Sequence, residues 1–167
     1  MRSNHADSAP RQAEVALPDR DATRRFAARL ASLLRPGDVV ALGGALGSGK
    51  TTLARDIIET LAGGPCEVPS PTFTLAQTYE VGGLLVWHFD LYRIGRPEEI
   101  LELGFEEALA EGVALVEWPE RLGPFLPGDR LEVTLVADAA PDARSVRLAG
   151  FGSWRVRLAR LVSKAGD

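Results

Sequence analysis

The chain has 167 residues, 46% of them hydrophobic and 25% charged, and a formal net charge of −4. That length supports one domain with its own core, and the acidic balance argues against a stand-alone nucleic-acid binder, which needs a basic footprint. A single cysteine, Cys66, excludes an internal disulfide and a multi-cysteine metal site. No apolar run reaches the length of a membrane span, and the N-terminus lacks the basic-then-apolar order of a secretory signal. A cytoplasmic protein with no membrane association is expected.

Residues 1–12 are small, polar and aperiodic, and are expected to be a disordered lead-in to a single domain spanning residues 13–167. An amphipathic helix is expected from Asp21 to Leu34, with Asp21 as N-cap and Phe26, Leu30, Leu33 and Leu34 as its buried stripe. Pro36-Gly37 ends it and leads into Val39-Val40-Ala41-Leu42, a short apolar run of the kind a buried parallel strand requires.

Gly44-Ala45-Leu46-Gly47-Ser48-Gly49-Lys50-Thr51 follows and fits the phosphate-loop pattern G-x-x-x-x-G-K-[ST] at every specified position. Glycines let the backbone turn its N–H groups inward on phosphate oxygens, and the helix start adds unpaired amides and the positive end of a dipole. Lys50 is placed to reach the terminal phosphates, and the Thr51 hydroxyl to ligate Mg²⁺. Beyond the loop, Leu53, Ile57, Ile58 and Leu61 fall on one helical face. Strand, glycine loop and helix supply the context that separates a site from an ordinary glycine-rich turn.

Gly63-Gly64-Pro65 breaks this helix. Pro69 and Pro71 keep the next segment from being helix, and strand propensity runs from Thr72 to Tyr79. Gly82-Gly83 reads as a hairpin turn into Leu84–Phe89, so this pair is antiparallel and the sheet mixed. Pro97 suits the first turn of a helix through Leu101, broken near Gly104, and Val113–Val116 is a second buried-strand run. Leu131, Val133 and Leu135, then Val146 and Leu148, alternate with polar neighbours as two late strands do, whereas Trp154–Val162 fits strand or helix.

A phosphate loop needs a carboxylate at the end of a neighbouring strand to hold Mg²⁺, directly or through water. Asp90 after Phe89 and Glu117 after Val116 both qualify, and the residues alone do not divide the labour between them. Phe73, Trp87, Phe89 and Tyr92 read as core or sheet-face aromatics, and His88 as a hydrogen-bonded structural histidine with no base role. Arg93 and Arg121 serve either as phosphate contacts or as partners of the glutamate-rich segment, which carries eight glutamates and no lysine or arginine from Glu98 to Glu120. From Pro141 onward the balance is basic, through Arg144, Arg147, Arg155, Arg157, Arg160 and Lys164. Both runs read first as solvated surface.

Taken together, the loop through Thr52, Ser70-Pro71-Thr72-Phe73-Thr74, His88-Phe89-Asp90-Leu91-Tyr92-Arg93 and Val116-Glu117-Trp118-Pro119-Glu120-Arg121 resemble the TsaE (formerly YjeE) family, in this order and spacing. The likeness runs from about Leu17 to Leu148. It implies an α/β fold, a P-loop NTPase-like three-layer sandwich around a mixed, mainly parallel central sheet. It also implies an Mg²⁺-dependent ATPase acting with the TsaB and TsaD proteins in threonylcarbamoyl transfer to adenosine 37 of tRNA, with tRNA engaged indirectly through that complex. By the family pattern Thr51 and Glu117 are the metal positions, and Lys50, Asp90 and Glu117 the catalytic ones. Nucleotide contacts would come from Asp19, Gly44, Ala45, Leu46, Gly47, Ser48, Gly49, Lys50, Thr51 and Thr52, with adenine near Asp19 and Arg20. Ser70–Thr74 resembles a switch loop near the terminal phosphate. One departure is Ala45, where the family commonly has an acid.

The rival reading is a small-molecule kinase using the same loop, although no arginine-dense lid stands out. A GTPase is disfavoured by the missing Asn-Lys-x-Asp motif. A nucleotide-controlled binding module, reset by slow hydrolysis, belongs to a third class and is compatible with the ATPase reading.

Overall fold

The computed structural model describes residues 9–66 and 75–163. The expected switch loop Ser70–Thr74, Phe73 with it, and residues 1–8 of the expected lead-in lie outside the described residues. Along the chain come β1 (Arg11–Leu17), α1 (Arg20–Leu33), β2 (Val39–Gly44), α2 (Lys50–Ala62), β3 (Ala76–Val81) and β4 (Leu84–Asp90). They are followed by α3 (Glu99–Glu102), α4 (Phe105–Glu111), β5 (Val113–Glu117), a 3₁₀ segment Pro119–Phe125 that kinks at Gly123, β6 (Arg130–Ala137), β7 (Arg144–Phe151) and α5 (Trp154–Val162).

The strands form one sheet in the order β1-β7-β6-β2-β5-β4-β3. The two apolar runs take its centre: β2 lies between β5 and β6, parallel to both, and β4 runs parallel to β5. Edges are antiparallel, with β3 on β4, β7 on β6 and β1 on β7. Gly82 and Gly83 both have positive φ, 59° and 76°, the backbone that a two-residue hairpin of the right twist demands.

Alternation along the strands divides the interior into two layers. Val40, Leu42, Leu115 and Val133 face α1, α2 and α5, where Phe26, Leu30, Leu53, Ile57, Trp154 and Leu158 are fully buried. Each such side chain contributes about 1.5–3 kcal/mol relative to exposure. Val39, Phe89, Ala114 and Val116 point the other way, onto Ile100, Phe105 and Leu122 of α3, α4 and the 3₁₀ segment. Phe89 meets Phe105 edge-on at 5.7 Å and Trp87 face-on at 6.0 Å.

Two expectations are corrected and one open reading is decided. Arg11 and Gln12 belong to β1 and not to a lead-in: Ala13, Val15 and Leu17 alternate with Gln12 and Glu14, and β1 closes the sheet by pairing along β7. Helix α1 starts one residue early, because Asp19 and not Asp21 is the cap, its carboxylate accepting from the Ala22 N–H at 2.8 Å. The ambiguous Trp154–Val162 tail is a helix. Arg157 fastens it to the start of β2, donating to both Asp38 carboxylate oxygens at 2.7 Å and to the Leu33 carbonyl.

Candidate nucleotide site

Strand β2 ends in Gly43-Gly44 at the carboxyl edge of the parallel strands, the edge at which open α/β sheets bind ligands. Gly44 has φ +129°, and a Cβ there would lie 2.5 Å from the Leu135 carbonyl on β6 and 2.6 Å from Ser48 Oγ. Only glycine passes. Inside the loop the Ser48 N–H donates to the Ala45 carbonyl at 3.0 Å, folding the chain back toward α2. Gly49 (φ 109°) sits at the N-cap of α2, and no side chain caps this helix. Its first-turn amides have no intrahelical acceptor, so the loop offers an anion both N–H groups and a helix dipole.

Lys50 is 5% exposed. Its ammonium donates to the Gly44 carbonyl at 2.7 Å and the Ala45 carbonyl at 3.0 Å, and lies 4.1 Å from the centre of the Trp118 ring. Burial pushes its pKa below the ordinary lysine value, opposed by the charges of Glu117, Glu120 and Asp90. The ammonium is thus held over the loop on two neutral carbonyl acceptors.

The two sequence-selected carboxylates come together. Asp90 ends β4, Glu117 ends β5, and they are register partners across the parallel pair. Both are buried, at 6% and 2% exposure. Glu117 Oε1 accepts from the Thr51 hydroxyl at 2.7 Å, and Oε2 is 2.7 Å from His88 Nε2. Asp90 Oδ1 accepts from the Tyr92 N–H at 3.1 Å.

Trp118, directly after Glu117, holds a left-handed backbone (φ 60°, ψ 53°) that is uncommon for a bulky residue. That turn carries the ring over Lys50 and against Tyr92, 5.0 Å between ring centres. Tyr92 is 44% exposed, so it belongs to the mouth of the site and not to the core, unlike the fully buried Phe89.

A cleft of about 510 Å³ runs along the loop, walled by Leu46, Gly47, Gly49, Lys50, Thr51 and Thr52 on one side and by Asp90, Tyr92, Arg93, Glu117 and Trp118 on the other. A smaller one, about 170 Å³, shares Gly49, Thr52 and Arg144 with it and adds Arg20, Thr23, Ser48 and Asp142. Asp19 lines neither and is occupied as the cap of α1, whereas its neighbour Arg20 pairs with Asp56 at 2.7 Å. Gly44 and Ala45 contribute carbonyls to Lys50 instead of cleft walls. Arg121 is absent from both clefts.

Sequence reading treated Arg144 as surface charge and His88 as structural. Arg144 reaches across from β7 to donate to the Ser48 carbonyl at 2.8 Å, pinning the loop, and His88 is bonded to the site's carboxylate. For His88 the signal was available, since it shares a strand face with Asp90; for Arg144 there was none.

Among the described residues no cluster of three or more His, Cys, Asp or Glu is arranged to hold a metal. The donors that converge are one hydroxyl and one carboxylate, Thr51 and Glu117. Two hard oxygens beside a phosphate loop fit Mg²⁺, which keeps most of its waters and takes its remaining ligands from phosphate.

The family model for the threonylcarbamoyl adenosine biosynthesis protein TsaE matches residues 17–146. The chain belongs to the TsaE family. Named members among its relatives are the tRNA threonylcarbamoyladenosine biosynthesis proteins TsaE of Rickettsia conorii, 45% identical over 72% of this chain and 69% of that one, and of Streptomyces coelicolor, 41% identical over 77% and 90%. The Haemophilus influenzae TsaE is 34% identical over 79% and 85%. The crystal structure of Bacillus subtilis YdiB superposes with a TM-score of 0.75, at 30% identity, over 95% of this chain and 98% of the other. The TsaE match takes in the loop and both carboxylates and ends within β7.

Proposed function

We propose that this TsaE-family chain is an Mg²⁺-dependent ATPase and nucleotide switch that supports threonylcarbamoyl transfer to adenosine 37 of tRNA, together with TsaB and TsaD. The observation that carries the reading is the meeting of Thr51 and Glu117 at 2.7 Å beside an uncapped helix start and a buried lysine. In this reading the loop amides cradle the phosphates of ATP. Lys50 exchanges its two neutral carbonyl acceptors for phosphate oxygens, a stronger pairing because both partners are then charged. Thr51 and Glu117 hold Mg²⁺, which supplies charge neutralisation on the phosphates. Asp90 orients the attacking water by accepting its hydrogen bond, and the Trp118–Tyr92 pair shields the same wall from solvent.

The base lies in the smaller cleft beside Arg20 and Thr23, since that cleft continues from the phosphate cleft through Gly49 and Thr52. The missing guanine-reading motif and the family likeness together support adenine as the base. The chain works in the cytoplasm with its partners, and tRNA reaches it only through them. No helix among the described residues is long and apolar enough to cross a membrane.

Phosphate release from ATP, measured with and without TsaB–TsaD, tests this function. Slow hydrolysis alone and faster hydrolysis with the pair are expected, with free phosphate as the product. Transfer of the phosphoryl group to a small acceptor would make the chain a kinase.

A further inference from the structure

His88 has a more specific arrangement than a packed core histidine requires. It lies on the face of β4 that also carries Val86 and Asp90, opposite α2, and is fully buried. Its Nε2 is 2.7 Å from Glu117 Oε2. An ionised carboxylate only accepts, so the ring N–H sits on Nε2 and points at Glu117. The other ring nitrogen, Nδ1, is buried without a hydrogen-bond partner among the described residues. A histidine kept for the fold alone is expected to tie both nitrogens into it. Among the described residues, the ring's hydrogen bonding is spent entirely on one carboxylate oxygen.

The two Glu117 oxygens are therefore distinguished. Oε1 faces the Thr51 hydroxyl, and Oε2 is held from behind by His88. We propose that His88 is the positioning residue of Glu117: by occupying Oε2 it fixes the carboxylate plane and leaves only Oε1, beside Thr51, for the metal or a metal-bound water. The inference rests on the nucleotide reading above and deepens it. The arrangement parallels the outer partners of metal ligands generally, whose loss weakens metal affinity or activity about 10–100-fold.

The test measures the Mg²⁺ concentration needed for half-maximal binding of a fluorescent ATP analogue, with affinity for the same analogue in EDTA and thermal melting as parallel readouts. His88→Leu removes the donor at similar bulk. His88→Gln returns an N–H close to the place of Nε2, whereas the shorter His88→Asn does not. We expect His88→Leu and His88→Asn to raise the Mg²⁺ midpoint by about 10-fold or more, with EDTA affinity changed less than about 3-fold, and His88→Gln to recover most of the loss. In a Glu117→Ala background, His88→Leu should move the midpoint no further.

A folded His88→Leu protein with a wild-type Mg²⁺ midpoint overturns the inference and leaves the ATPase reading intact. So does equal loss of affinity with and without Mg²⁺, which is the mark of a packing role. Where His88→Leu does not fold, the Gln and Asn variants decide: equal midpoints for these two overturn the proposal. Absence of any Mg²⁺ dependence in the wild-type chain overturns both the inference and the reading beneath it.

Discussion

Asp90 and Glu117 are register partners at the carboxyl ends of adjacent parallel strands, yet their oxygens have different company. Glu117 is tied to Thr51 on α2 and to His88, while Asp90 accepts from the backbone of Tyr92 in the following turn. In the proposed mechanism Glu117, bound to the Thr51 hydroxyl, serves the ground-state metal, and Asp90 serves the attacking water.

The two acids should therefore separate in kinetics. Glu117→Ala is expected to weaken Mg²⁺-dependent ATP binding and to slow turnover together. Asp90→Ala should hold Mg·ATP affinity within about 3-fold while turnover falls by about 100-fold or more. Titration of Mg²⁺ at fixed ATP, with turnover on the same preparations, checks this; the opposite pattern reverses the two roles.

Lys50 makes binding pH-dependent in a set direction. Burial lowers its pKa in the free protein below 10.5, and phosphate oxygens favour the charged form, so the bound protein keeps the proton to higher pH. Nucleotide affinity should fall as pH rises through the free-protein value, below 10.5. In that window the unfolded chain binds more protons at this lysine than the folded one, so the contribution of Lys50 to apo stability rises with pH. Calorimetry in buffers of different ionisation enthalpy should record proton uptake on binding at alkaline pH, absent from Lys50→Ala.

Arg157 is the clasp of the C-terminal helix. Arg157→Ala strips the buried Asp38 carboxylate of its bidentate partner and removes the contact with the Trp154 ring, leaving the Arg35 N–H, at 2.8 Å, as that carboxylate's only donor among the described residues. Loss of one member of such a buried pair costs about 3–5 kcal/mol. Urea denaturation should register a drop of that order, and a change below about 1 kcal/mol would mean that the pair is solvated.

What the sequence disclosed and what it hid divide along sequence distance. The phosphate loop, the β2 and β5 runs and the hairpin at Gly82-Gly83 are local patterns, and each is where its pattern put it. Strand β1 went unread because Arg11 at its start and the outward Gln12 and Glu14 made it look like a polar tail, although Ala13, Val15 and Leu17 kept the period of two. The partners of His88, Arg144 and Arg157 lie 29, 96 and 119 residues away, and only strand order brings them together. Trp118 escaped for another reason: its place over Lys50 depends on a left-handed backbone that its residue type disfavours.

The central claim is that Gly44–Thr51 with Lys50 binds the phosphates of ATP. Titration calorimetry with ATP and GTP in the presence of Mg²⁺, on the wild-type chain and on a folded Lys50→Ala variant, tests it most directly. The account predicts a clear preference for ATP and at least about 10-fold weaker binding in Lys50→Ala, the loss expected for a charge-assisted hydrogen bond. Unchanged ATP affinity in the variant, or a preference for GTP, would contradict it.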